Sequence, residues 1–289
     1  MSLVTPFQDE SISWSELEEN MSKLNETPIR GYLALGGNAE SMGMSEREKD
    51  EVLGTVVRLA GERDDKIVIG GIACESSYLA IERAKAMADT GAGYARILPP
   101  HYFASGMTPE VLIRFYEEVA DHTPIPFILY NVPKLTGGVR VTPATVARLA
   151  DHPKIAGIKD SSPDGVYGFL HATRHMEDFA VLAGSANTFF PALASGAAGG
   201  DMTLANYLPS LCCELLSSFE RGDMGRARDL HLSIYTINKL VSGTYGVPGI
   251  KAAMDLLGYS GGEPRRPFAP LGNEGIAHIR ETLEEEGLL

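Results

Sequence analysis

Short apolar runs alternate with amphipathic stretches along most of this chain. Runs at residues 31–35, 66–71, 93–98, 126–130, 155–159, 179–183 and 196–203 are bounded by Gly, Pro, Asn or Ser. Continuous apolar runs of this length read as strands buried on both faces, as in a parallel sheet. Leu3-Val4-Thr5 adds a stub of a first strand. Between the runs the apolar positions recur at helical spacing. An acidic amphipathic helix is predicted at 14–25, and another from Ser45, where Ser45-Glu46-Arg47-Glu48 fits a capping box and Val52, Val56, Leu59 and Ala60 form a stripe. An alanine-rich helix at 77–90 stops at Gly91. Thr108-Pro109 and Thr142-Pro143 each start a helix, with Thr at the N-cap and Pro at the first helical position.

Eight strand–helix alternations, each long enough for a right-handed crossover, predict an α/β chain folded as a (β/α)8 TIM barrel. An open doubly wound sheet is the alternative. After Asn206 the alternation stops, and the rest reads as helices interrupted at 243–249 and 261–264. The expected organisation is a catalytic barrel over 1–206 and a C-terminal helical extension over 207–289 packed on it, with no flexible linker.

A length of 289 residues suits one such barrel. The net charge of −13 argues against a nucleic-acid surface, which needs clustered Lys and Arg, but leaves room for a local cationic pocket. Three cysteines, two of them adjacent at Cys212-Cys213, make no disulfide framework and suit a reducing compartment. The N-terminus lacks a basic segment and a long apolar one, and no later run approaches membrane-spanning length. A cytoplasmic protein without membrane or nucleic-acid partners is expected.

In a barrel of this kind the chemistry lies at the C-terminal ends of the strands. Those ends deliver Gly36-Gly37-Asn38, Pro100-His101-Tyr102, Tyr130-Asn131-Val132-Pro133, Lys159, Gly184-Ser185 and Gly199-Gly200-Asp201. Lysine is rarely buried unless paired or used, and an amine that loses solvation can attack a carbonyl to form a Schiff base. The other reading of Lys159 is a strand-end side chain reaching into solvent. One amine, two phenols and a backbone-exposing glycine turn form a coherent set for 2-oxo-acid chemistry: the amine makes the imine, a phenol shuttles protons and turn N–H groups hold a carboxylate. A tyrosine ending a strand is more often a packing residue, and a Gly-Gly turn is usually only a turn. Asp160 points to the opposite strand face from Lys159 and reads as a loop or helix-start residue. Asp201, ending an apolar strand, must find a partner or solvent.

Val4-Thr5-Pro6-Phe7, Tyr130-Asn131-Val132-Pro133, Gly157-Ile158-Lys159-Asp160 and Leu182-Ala183-Gly184-Ser185, in this order and spacing, resemble the dihydrodipicolinate synthase / N-acetylneuraminate lyase family of class I aldolases. The resemblance covers essentially the whole chain. It implies a pyruvate Schiff base on Lys159, Tyr130 as the phenol nearest the imine, and Tyr102 as a second tyrosine presented across a dimer interface. It also implies Gly37 and Asn38 as the turn cradling the pyruvate carboxylate, no cofactor, and a homo-oligomer, a tetramer built from tight dimers. Gly184 and Asp201 are further candidates for substrate contact.

Departures bear on the second substrate. The synthase branch carries two threonines in the strand-two turn, one completing a proton relay; Gly37 has no hydroxyl. That branch also holds the aldehyde's carboxylate with an arginine after its Tyr-Asn-Val-Pro motif, where this chain has Leu135, with Lys134 as a partial substitute at best. Asn38, Leu204-Ala205-Asn206 and Gly246-Val247-Pro248-Gly249-Ile250-Lys251 put the nearest resemblance in the 4-hydroxy-2-oxoglutarate aldolase branch, although Ala39 and Asp201 depart from the family pattern. The expected function is a lyase acting on 4-hydroxy-2-oxoglutarate or a similar 2-oxo acid. Alternatives are dihydrodipicolinate synthase, a 2-keto-3-deoxy sugar acid aldolase or dehydratase, and a 2-oxo-acid sensor without turnover. Tyr235 and Lys239 match a short-chain dehydrogenase spacing, but the required glycine-rich turn after the first strand is missing. His171 and His175 share a helix face and read as solvated rather than metal-binding.

Overall fold

The structure, a computed structural model, describes residues 1–63 and 65–289 and divides into two compact units, Met1–Ile67 with Met202–Leu289, and Val68–Asp201. In the first unit, β1 (Phe7–Gln8) and β2 (Ser11–Ile12) form an antiparallel pair that the apolar pattern does not predict. Its turn uses Asp9 and Glu10 at positive φ, 46° and 65°, without the Gly or Asn that would announce it. The expected first strand lies beside β3 (Gly31–Ala34): Ser2 bridges Leu33 in parallel, and the Leu3 N–H donates to the Leu33 carbonyl at 3.0 Å. Helix α1 (Trp14–Asn25) matches its predicted bounds. Helix α2 (Glu46–Ala60) starts as predicted, with the Ser45 side chain accepting from the Glu48 N–H and Glu48 Oε2 accepting from the Ser45 N–H at 2.8 Å.

Strand β4 (Ile67–Ile72) leads into the second unit, which runs α3 (Ser77–Thr90), β5 (Tyr94–Ile97), α4 (Pro109–His122), β6 (Phe127–Asn131), α5 (Pro143–Leu149), β7 (Ile155–Asp160), α6 (Tyr167–Ala172), β8 (Ala180–Ala183), α7 (Phe189–Ala194) and β9 (Gly199–Gly200). From β4 to β9 each strand pairs in parallel with its neighbour in sequence, a helix intervening every time. This is the repeated βαβ unit the alternation predicts. The punctuation also holds. Gly91 closes α3 at φ 99°, and the Thr108 and Thr142 side chains accept from the N–H groups of Val111 and Thr145. Ala95, Ile97, Phe127, Leu129, Val181 and Ala183 are buried, each larger side chain contributing about 1.5–3 kcal/mol by leaving water. The last strand is much shorter than the 196–203 expected.

The chain then re-enters the first unit through α8 (Pro209–Glu220), α9 (Met224–Asn238), α10 (Gly246–Leu256) and α11 (Asn273–Glu285). The break expected at 243–249 is instead a π-helix, Lys239–Tyr245, that runs directly into α10. Of the glycines in this stretch, Gly249 serves close packing: a Cβ there would sit 2.4 Å from that of Tyr245 and 2.8 Å from the Val241 carbonyl oxygen. Among the described residues no helix is long and apolar enough to cross a membrane.

Candidate active site

The strand register of the second unit decides which side chains share a face. Tyr130 on β6 is level with Lys159 on β7, and Lys159 with Leu182 on β8, which is level with Gly199 on β9. Counting by two from Gly199 reaches Asp201; counting back from Tyr130 reaches Ile128, which is level with Arg96 on β5. Arg96, Tyr130, Lys159 and Asp201 therefore project from one face, on four neighbouring segments. Asn131 and Asp160, one step along, project from the other.

The shared face carries a buried ionic cluster. Lys159 and Asp201 are 4% and 7% exposed, and Arg96 is 5% exposed. Lys159 Nζ donates to Asp201 Oδ2 at 2.9 Å, and Arg96 donates to the same oxygen at 2.8 Å. Both cations lie against the Tyr130 ring, Arg96 at 4.3 Å and Lys159 at 4.9 Å from its centroid. Burial works to raise the Asp201 carboxyl pKa, but the charges of Lys159 and Arg96 outweigh it and hold the group well below the usual carboxylate range. Asp201 is thus an anion at neutral pH, shared by two cations. The Tyr130 hydroxyl lies 3.4 Å from Ser161 Oγ, within reach of a proton-carrying partner.

On the opposite face, Asp160 accepts from the Asn131 amide at 2.7 Å and from the Ser162 hydroxyl at 3.0 Å. Burial raises its pKa, opposed by these hydrogen bonds. Asn131 Oδ1 in turn accepts from the Val141 N–H at 3.1 Å, tying the loop after β6 to the end of β7. Asp160 is a structural buckle, turned away from Lys159 as its position predicts. The snorkelling alternative for Lys159 does not hold, because its nitrogen is buried and ion-paired rather than in solvent.

The other candidates are placed unequally. Gly184 lies where chains converge: a Cβ there would meet Ser161 Oγ at 2.0 Å and the Asp160 carbonyl oxygen at 2.6 Å. Its lack of a side chain is what lets β8 end beside β7. Gly37 and Asn38 occupy a tight turn in the first unit, the Glu40 N–H donating to the Gly37 carbonyl at 3.0 Å and the Asn38 amide bonding the Thr203 hydroxyl. Tyr102 is 79% exposed, its ring edge-on to Phe103 and its backbone N–H bonded to Glu75. Leu135 is 59% exposed. Neither Tyr102 nor Leu135 joins the buried cluster. Sequence reasoning missed Arg96 and Ser161. A charged residue inside the apolar run 93–98 was the signal for Arg96, since a buried guanidinium must find an anion. Ser161 carries no signal short of the register. His171 and His175 belong to no group of three or more metal-binding side chains among the described residues.

Comparison with known proteins bears on this site. The model of the Dihydrodipicolinate synthetase family matches residues 1–286. The 4-hydroxy-tetrahydrodipicolinate synthase of Methanothrix thermoacetophila is 33% identical over 285 residues, spanning 97% of this chain and 94% of that protein. The chloride-inhibited dihydrodipicolinate synthase of Acinetobacter baumannii, solved in complex with pyruvate, superposes with a TM-score of 0.92 at 29% identity, covering 100% of this chain and 98% of that one. A structure described as the first monomeric dihydrodipicolinate synthase variant gives a TM-score of 0.92 at 26% identity, covering 100% and 96%. These relatives carry the synthase name, so the expectation that the 4-hydroxy-2-oxoglutarate aldolase branch lies nearest is not supported. The chain belongs to the dihydrodipicolinate synthetase family, has its (β/α)8 barrel fold with a C-terminal helical part, and is a carbon–carbon lyase of the class I aldolase type.

Proposed function

We propose that this enzyme condenses pyruvate with an aldehyde, or reverses that reaction, through a Schiff base on Lys159. The observation that carries the reading is a buried lysine nitrogen level with a tyrosine, anchored on a carboxylate at the end of a parallel sheet. For attack, Nζ gives up a proton and its lone pair forms the C–N bond while the carbonyl π pair moves to oxygen. That oxygen gains the proton, the nitrogen of the adduct then gives up a second proton to the same oxygen, which leaves as water while the nitrogen lone pair forms the C=N bond, and an iminium with one N–H remains. The Tyr130 phenol, bonded to Ser161, is the carrier for these transfers. Loss of a proton from the adjacent carbon then yields the enamine that attacks the aldehyde. From the family resemblance, Gly37 and Asn38 are proposed to hold the carboxylate of pyruvate, and within the second unit Gly184 is proposed to leave room beside Ser161.

The names of the relatives favour condensation in the sense of the 4-hydroxy-tetrahydrodipicolinate synthases as the first reading. A second reading, cleavage of 4-hydroxy-2-oxoglutarate or a sugar-derived 2-oxo acid, is favoured by Leu135, which offers no charge to a carboxylate on the far end of the aldehyde. The test is steady-state turnover of pyruvate with aldehydes that carry a distal carboxylate and amine, set against glyoxylate and polyhydroxy aldehydes. Preference for the first group supports the synthase; preference for the others supports cleavage. Under the second reading, Leu135→Arg raises kcat/KM for the carboxylate-bearing aldehyde by about tenfold or more, the worth of one charge-assisted hydrogen bond. We further propose that the exposed Tyr102, with Phe103 beside it, meets a second copy of the chain and serves that copy's site. Equilibrium sedimentation of wild type and Tyr102→Asp checks this: a dimer or larger in the first and a smaller species in the second.

A further inference from the structure

Asp201 stands where the family resemblance leads one to expect an apolar residue, and the structure gives it one oxygen already in use and one to spare. Oδ2 takes both Lys159 and Arg96, at 2.9 and 2.8 Å, while Oδ1 is buried without a hydrogen-bond partner. Arg96 Nε, on the same cluster, is buried and unpartnered as well. A buried anion that leaves an acceptor open beside a reactive nitrogen is incomplete as a structural ion pair. It is complete once a ligand brings a donor to that nitrogen.

We infer that Asp201, held in place by Arg96, is the counter-ion of the Schiff-base nitrogen. The inference rests on Lys159 being the imine-forming residue. Converting an ammonium and a ketone to an iminium and water leaves one positive charge on nitrogen at the start and at the end. A fixed carboxylate at Oδ2 therefore serves both states without rearranging, and the single N–H of the iminium has its acceptor waiting. Oδ1 is free to accept from the hydroxyl of the carbinolamine on the way. The charges then balance: Arg96 and the iminium are positive, Asp201 and the carboxylate of a bound 2-oxo acid negative. The groups facing the nitrogen are Arg96 from β5, Tyr130 from β6 and Asp201 after β9, and Asp201 is the anion among them.

Cyanoborohydride, which at moderate pH reduces the protonated iminium and not the neutral imine, reads the protonation of the adduct directly. The experiment incubates the full chain with pyruvate and cyanoborohydride across a pH series and measures the reduced adduct on Lys159 by peptide mass spectrometry. Wild type is expected to trap well into the alkaline range. Asp201→Asn is expected to move the midpoint of trapping down by about one to three pH units, the effect of losing an opposite charge at contact distance. If Asp201→Asn does not fold, the double variant Arg96→Leu with Asp201→Leu removes the anion together with one of its two cations, leaves the net charge of the cluster unchanged, and is expected to shift the midpoint in the same direction because the carboxylate in contact with the nitrogen is gone. Superimposable trapping curves for wild type and a folded variant overturn the counter-ion. No adduct in wild type at any pH overturns the Schiff-base reading itself, so the two failures are distinct.

Discussion

Lys159 was legible because a single cation ends an otherwise apolar run, and Tyr130 because it ends the neighbouring one. Their partners were less so. Asp201 could be flagged as needing company, but whether that company was solvent, lysine or arginine depended on pairings across β5 to β9 that only the register settles. Two expectations belong to these side chains. Tyr130→Phe keeps the ring that both cations lie against and removes the phenolic proton, so kcat falls by about 10²–10⁴ while the fold persists; unchanged kinetics would remove the phenol from the chemistry. Asp201→Ala leaves Lys159 and Arg96 buried side by side with no anion between them, at a cost of about 3–5 kcal/mol in urea unfolding. Lys159→Met is much milder, because Arg96 still compensates Asp201.

The strands and helices themselves follow closely from local chemistry where a cap or a run announces them. Helices α2, α3 and α4 start where the Ser45, Ser76 and Thr108 side chains accept from backbone N–H groups, and α3 stops at Gly91 in the left-handed conformation. What escaped were β1 and β2, whose turn uses ordinary acidic residues at positive φ, and the π-helix before α10, where Gly249, usually read as a breaker, instead lets α10 pack against Tyr245 and Val241. Gly157 shows the same logic within a strand. A Cβ there would lie 2.2 Å from the Ala180 carbonyl oxygen, so Gly157→Ala forces β7 and β8 apart and costs about 1–3 kcal/mol or more in thermal unfolding. Glu48 makes a pH prediction. Its pKa is held down to about 2, chiefly by the side-chain hydrogen bond from Arg265 at 2.7 Å and helped by the Ser45 N–H and hydroxyl, against the effect of burial. A carboxyl lowered on folding contributes stability above its unfolded value and loses it as pH falls through the folded one. Between about pH 5 and pH 2 the wild type therefore loses more stability than Glu48→Gln, which keeps the capping box but has no charge to lose.

The two chain ends share one unit, with the central βα repeats in the other. The repeating alternation made the barrel class readable as far as Asn206, since each strand–helix period is local. The substrate was not, because it depends on a few positions such as Gly37, Leu135 and Asp201 that differ among members of one family while the frame stays the same. The reaction class turns on one covalent event. Wild-type protein incubated with pyruvate, reduced with borohydride and examined as intact protein and peptides should gain one reduced pyruvate adduct per chain, on Lys159. A well-folded protein that gains none, or gains it on another lysine, contradicts the account.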